Sequence, residues 1–295
     1  MPRPVLADHA PADALVEAAV AAQVAAGLEP VTDGGLSVER RPAVAWRTTA
    51  DLTDRAVKQA VVGPYTTGLA SHGSASDRAT ATLAAADRQH DALLELVAAG
   101  CPLIEIHEPA ATAIGDDPGE RALFRDAHLR LLDGLAGTHL SLALTGGNAD
   151  AAGIETLLEA PYASLAVDLI AGPDNWRLVV ATPGDLGIVC GAMPTAAGTG
   201  DGPELLLWAA AYAASTGSRG PERVGLATAS SLAHLSWDDA VRKMERLGAA
   251  ARLFDMTPEE RIGHVDPRAV SIRSAALGRV DRPASRRPDR ADDPT

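Results

Sequence analysis

The sequence predicts an α/β fold, a (β/α)8 barrel of the TIM type, on three observations. Short apolar runs alternate with helical segments along the chain, the pattern of a parallel sheet with crossover helices. The length of 295 residues suits one such barrel, which typically takes about 250. Hydrophobic residues make up 46% of the chain and aromatics only 3%, so a large core must be built from Ala, Val, Leu and Ile.

The elements follow in order. Residues 11–26 read as a helix stopped by Gly27, and EPVTDGG (29–35) as a short strand and turn. AVVGPYT (60–66) is the next strand. Residues 76–99 form a long helix, capped by Ser76 or Asp77 and ended by Gly100. CPLIEIHEP (101–109) is a strand, 120–135 a helix, and HLSLALT (139–145) a strand followed by the loop GGNAD. A helix starts at 154–158. SLAVDLI (164–170) and LGIVCGA (186–192) are strands, 203–216 a helix rich in Leu and Ala, and RVGLATAS (223–230) the last strand. The helix 236–254 opens on a capping box of Ser236 and Asp239 and repeats apolar residues at Trp237, Val241, Met244, Leu247 and Ala251.

That makes seven strands, one short of a closed barrel. The missing one should precede the first helix, where only MPRPVLADH is available, so a short irregular first strand or an open seam is expected. Residues 1–277 read as one domain. The Pro-rich, charged stretch 278–295 reads as a disordered tail.

Composition narrows the function. The net charge of −13 disfavours nucleic acid and anionic membranes as partners. The N-terminus lacks the apolar stretch of a signal peptide, and no apolar run approaches the ~20 residues of a membrane helix. The two cysteines, Cys101 and Cys190, lie in apolar runs and fit a reducing compartment, so a cytoplasmic protein is expected. The expected partner is a small-molecule substrate; a protein partner or a second copy stays open.

In such barrels chemistry sits at the C-terminal ends of the strands. Reading those ends in order gives Asp33, Tyr65–Thr66, His107–Glu108, Thr145–Asn148, Asp168, Cys190 and Ser230–His234. His107 and Glu108 are the sharpest. An imidazole beside a carboxylate, where Pro109 stops the strand, suits general acid/base catalysis. The plainer reading is a loop cap and a neighbourly hydrogen bond. Glu105 shares a strand face with His107 by period two and lines either a pocket or a salt bridge. Asp33, in a Thr-Asp-Gly-Gly turn, serves the turn or a ligand. Cys190 is a strand-end nucleophile or a core residue, with core the commoner case. The glycines of Gly146–Gly147–Asn148 allow close ligand approach but match no phosphate-binding fingerprint. His107, Glu108, Asp168, Cys190 and His234 are the metal-ligand types at these ends, but they share no short spacing.

These segments together resemble the cobalamin-independent methionine synthase family. VTDGG (31–35) is similar to the family's "TDGE", VVGPYTTGLAS (61–71) to its "GPVT" strand, and AAGCPLIEIHEPA (98–110) to its "IQIDEPA". LALTGGN (142–148) resembles the segment carrying "HxCYGN", and LAVDLIAGPDN (165–175) and LGIVCGAMP (186–194) the next two strands. LATASSLAHLSWDDAVRKMERL (226–247) resembles the closing "SCSLLH…KxxEL" segment, especially as it occurs in the family's non-catalytic N-terminal barrel. The likeness runs over residues 12–254 in order. The superfamily also includes uroporphyrinogen decarboxylase-like barrels.

The resemblance implies methyl transfer from a folate donor to a zinc-activated thiol, with zinc held by His and Cys of "HxC", a Glu and a late Cys. Here the matching positions are Ala143, Thr145, the neighbourhood of Asp168, and Ser230; a shifted register brings His139 and Ser141 instead, with His139 at the wrong end of its strand. The amino-acid-binding "DE" becomes His107–Glu108 and the Glu of "TDGE" becomes Gly35. The expectation is therefore a divergent, zinc-free enzyme with His107 and Glu108 catalytic. Asp33, Tyr65, Glu105, Thr145, Asn148, Asp168, Ser230 and His234 would bind a small amino- or carboxy-bearing substrate. No cofactor follows from the residues alone; the resemblance makes folate the methyl donor to consider. The alternatives are a non-catalytic binding barrel and, third, a decarboxylase-like lyase.

Overall fold

A computed structural model describes residues 12–37, 39–71, 73–198, 202–261 and 263–265. The expected first strand at MPRPVLADH and the expected tail at 278–295 lie outside the described residues. The elements are α1 (Ala12–Ala26), α2 (Pro42–Ala50), β1 (Lys58–Val62), α3 (Pro64–Leu69), α4 (Ala75–Ala99), β2 (Leu103–His107), α5 (Pro118–Leu132) and β3 (His139–Leu144). They continue with α6 (Ile154–Leu157), β4 (Ser164–Asp168), α7 (Trp176–Ala181), β5 (Gly187–Met193), α8 (Pro203–Ser215), β6 (Val224–Thr228), α9 (Trp237–Phe254) and α10 (Pro258–Arg261).

The strands form one six-stranded sheet in the order β1 to β6, every neighbouring pair parallel. Among the described residues β1 and β6 are its two ends. The strand expected at 29–35 is reduced to Val31, which bridges Val57 in parallel: its N–H reaches Ala56 O at 2.9 Å, and Lys58 N–H reaches Val31 O at 2.9 Å. The reason is local. Pro30 has no N–H to give. Gln23 of α1 then takes both backbone groups of Thr32, accepting from its N–H at 3.0 Å and donating to its carbonyl at 2.8 Å. A side-chain amide occupies the place where a ladder would continue.

The stretch 60–66 is also corrected. It leaves the sheet at Val62, because Gly63 caps α3 and Pro64 sits in its first turn, where a missing N–H costs nothing. Helix α4 starts one residue early on Ser74, whose hydroxyl accepts from Asp77 N–H while the Asp77 carboxylate accepts from Ser74 N–H. Gly100 closes it with φ of 89°. Ser236 caps α9 by accepting from Asp239 N–H, but the Asp239 carboxylate takes the Ser236 hydroxyl instead of its N–H, leaving the box half made. Helices α2 and α7 lack side-chain caps, and α2 is announced only by Pro42 in its first turn.

The sheet has two unlike faces, as strand alternation demands. One carries Ile104, Ile106, Leu142, Leu165, Ile188 and Cys190, all 0% exposed and packed against helix residues such as Leu96, Phe124 and Leu131. Burying this face supplies the main hydrophobic stabilisation. The other face carries Lys58, Glu105, His107, His139, Ser141, Ser164 and Asp168 beside Val62, Leu103, Ala143, Ala166 and Val189. At the chain's two ends α1 packs on α9. The contact is so close that a Cβ on Gly248 would stand 1.9 Å from Ala26 O, so only glycine fits there. No helix among the described residues is long and apolar enough to cross a membrane.

Candidate active site

Strand β2 ends on the polar face with Glu105 and His107, two residues apart and therefore side by side. His107 Nε2 lies 2.7 Å from Glu105 Oε1, and Lys58 Nζ of β1 lies 2.7 Å from the same oxygen. Side-chain exposure falls from 39% at His107 to 21% at Lys58 and 8% at Glu105. Burial alone would raise the Glu105 carboxyl. The His107 hydrogen bond and the Lys58 charge overcome it and hold the carboxyl at about 2. Glu105 is thus a carboxylate, an acceptor only. His107 Nε2 therefore carries the hydrogen between them, and in the neutral form of the ring Nδ1 keeps a lone pair.

The expected His107–Glu108 pair does not form. Glu108 points to the opposite side of the sheet and is 0% exposed. Its Oε1 accepts from Tyr65 N–H at 2.9 Å, and its Oε2 accepts from Thr66 N–H at 2.7 Å and from the Thr66 hydroxyl at 2.5 Å. Its imidazole partner is His128, at 3.1 Å, whose other nitrogen meets the Tyr162 hydroxyl at 2.5 Å. Burial, with the Glu108 charge adding to it, pushes the Tyr162 phenol well above its ordinary range. A Cβ on Gly63 would stand 2.1 Å from Glu108 Oε1. Glu108 is a buried strut that caps α3 and ties it to α5. Tyr65, buried as well, donates to Glu120 at 2.8 Å, and burial with that bond raises its phenol.

The remaining predicted residues separate into local groups. Asp33 holds its own turn, accepting from Gly35 N–H at 2.8 Å and Ser37 N–H at 3.2 Å. Asp168, 1% exposed, accepts from Gly146, Ile170 and Ala171 N–H at 3.1, 2.9 and 2.8 Å, fastening the loop after Thr145 to β4. Thr145 is half-buried at the end of β3. Exposed Asn148 exchanges two hydrogen bonds with Asp174. Ser230 and His234 meet at Thr195, the one at its hydroxyl and the other at its carbonyl, both 3.0 Å away. Cys190 lies in the core with its thiol toward Ala209 O, and burial pushes it up to about 12. A thiol so held is no nucleophile at neutral pH.

Sequence reasoning missed Lys58, His128 and Tyr162. Their pairings depend on strand register and on helix placement, which no local pattern carries. Lys58 was findable only once β1 is known to start there, one residue pair below Ala60, the register partner of Glu105.

The architecture and the site define an α/β protein with a parallel sheet and a polar, histidine-bearing strand end. No protein-family model and no curated protein matches the sequence. Solved structures do match the fold. One is the B12-independent methionine synthase from Shewanella sp. W3-18-1 in complex with selenomethionine, with TM-score 0.66, 15% identity, 82% of this chain covered and 87% of that one. A second is the putative vitamin-B12 independent methionine synthase from Listeria monocytogenes, with TM-score 0.62, 15% identity and coverage of 82% and 86%. A methyltransferase from Methanosarcina mazei follows at TM-score 0.51, 15% identity and coverage of 72% and 64%. This chain shares their fold.

The residues at the positions that the resemblance assigns to zinc do not fit a zinc ion. Ala143, the register partner of His107, offers a methyl group. Thr145 and Ser230 offer neutral hydroxyls, and Ser230's is engaged with Thr195. Asp168 has both carboxylate oxygens committed to backbone N–H groups. Zinc wants thiolate, imidazole or free carboxylate.

Proposed function

We propose that this chain is a divergent, barrel-type methyltransferase. It would act on a small amino- or carboxy-bearing substrate and use His107 in place of a metal to take the acceptor's proton. The observation that carries the reading is the Glu105–His107 pair. It comprises a half-buried imidazole at a strand's C-terminal end, held through Nε2 by a buried carboxylate, and in the proposed reading Nδ1 serves as the base. The fold shared with methionine synthase and methyltransferase structures supports the reaction class.

In the proposed step the acceptor's lone pair forms a bond to the methyl carbon. The bond from carbon to donor breaks and its electron pair leaves with the donor. The acceptor's proton passes to His107 Nδ1, and the Glu105 carboxylate stabilises the imidazolium so formed. A folate-type tertiary amine is the donor class that the family resemblance suggests, and the released amine takes the proton in turn.

A second reading, a binding barrel without turnover, draws on one observation: Glu108, Tyr65 and Asp168 are all spent on structure. One experiment separates the two. The purified protein is incubated with methylated folate and a panel of thiol- and amine-bearing small acids, with and without a zinc chelator. Methylated product that survives chelation supports the proposal. Stoichiometric zinc whose removal stops turnover overturns its metal-free part. Ligand-induced stabilisation without product, unchanged in His107→Ala, supports the binding reading.

A further inference from the structure

We propose that Lys58 is a positioning residue: it supplies the counter-charge to Glu105, so that His107 stays a neutral imidazole instead of becoming the imidazolium of a buried ion pair. The proposal rests on the reading of His107 as the site's base and names what keeps it in that state.

Glu105 is 8% exposed, and a carboxylate so buried requires a cationic partner. Two groups compete for that part, and both reach the same oxygen at 2.7 Å. Lys58 satisfies the need from β1 with its ammonium group. His107 then contributes a neutral N–H donor, and the ammonium opposes the second positive charge that the carboxylate would otherwise draw onto its ring. The other ionisable groups on this face are engaged elsewhere. His139 of β3 bonds to the Ser164 hydroxyl at 2.8 Å, and Asp168 of β4 is spent on three backbone N–H groups. Level with His107 on the further strands stand Ala143, Ala166, Val189 and Gly225, none of them charged. The buried Ser141 hydroxyl, beside Glu105 in register, is neutral and finds no partner among the described residues. If Lys58 loses its charge, the electrostatic demand of Glu105 falls on His107 alone. A protonated His107 can no longer accept a proton.

The test is nitrogen NMR of the full chain labelled at histidine, read at pH 7.5 without any substrate. In the wild type the proposal expects His107 as the neutral tautomer with hydrogen on Nε2. In Lys58→Met the ratio of imidazolium to neutral ring should rise about tenfold or more, the equivalent of one pKa unit. Lys58→Arg should keep the wild-type pattern, and Lys58→Met combined with Glu105→Gln should return the ring to neutral. A wild-type His107 already protonated at that pH overturns the proposal without any variant. So does a Lys58→Met protein whose ring stays neutral. Should Lys58→Met fail to fold, Lys58→Gln decides: under the proposal its His107 ring gains protonation as in Lys58→Met, and a ring that stays neutral overturns the proposal. Because no turnover is read, the outcomes stay distinguishable. A ring that stays neutral in Lys58→Met sinks this proposal alone. A wild-type ring already protonated removes the base of the methyl-transfer reading as well, and absence of turnover with a neutral wild-type ring sinks only that reading.

Discussion

His107 Nε2 lies 2.7 Å from Oε1 of Glu105, two residues earlier on the same strand. The two side chains stand on the polar face of the sheet, and the buried carboxylate fixes which ring nitrogen carries the hydrogen. One residue further on, Glu108 turns to the core face and binds a different imidazole, that of His128. The end of β2 therefore carries two carboxylate–imidazole pairs back to back, one half open and one sealed. The consequences of that division can be measured.

Glu108 should matter to stability and His107 should not. Glu108→Ala removes the acceptor of four hydrogen bonds from a fully buried site. It is expected to cost about 3–5 kcal/mol in urea unfolding. His107→Ala, at a side chain 39% exposed, should stay within about 1 kcal/mol of the wild type. Equal costs for the two would contradict the division.

Acid should expose the Glu105 contribution. Its carboxyl is held at about 2, against an ordinary 4.5. A carboxyl lowered on folding stabilises fully above its unfolded value, and that stability is lost as pH falls through the interval toward the folded value. The melting temperature of the wild type should therefore drop more steeply between pH 4.5 and 2 than that of Glu105→Gln. Parallel curves would show that Glu105 gains nothing from Lys58 and His107.

Both cysteines should resist alkylation in the native protein. Cys101 and Cys190 are buried, and burial pushes their thiols up to about 11 and about 12. Iodoacetamide at pH 8 should label neither thiol until denaturant is added, as mass spectrometry would show. Rapid labelling of Cys190 in the folded state would restore it as a candidate nucleophile.

Much of the sheet was legible because one face is continuous apolar residue. The runs around Ile104, Leu142, Leu165 and Ile188 announce buried strands, and period two alone puts Glu105 beside His107. What escaped depends on distant partners. GPYT reads as strand because the group that caps α3, the Glu108 carboxylate, arrives from the next strand. The strand at 29–35 fails because Gln23, from the preceding helix, takes the backbone of Thr32. Lys58 joins the site only through the register of β1 on β2. Adjacency in sequence was also misleading at His107–Glu108, since neighbours on a strand face opposite ways.

The most direct test of the account is turnover by His107→Gln beside the wild type, on whichever acceptor and methyl donor the wild type converts. The account predicts a fall in kcat of about 10²–10⁴-fold with KM little changed, the loss expected when a positioned proton acceptor is removed. A His107→Gln enzyme with wild-type kcat would contradict it and place the chemistry elsewhere in the fold.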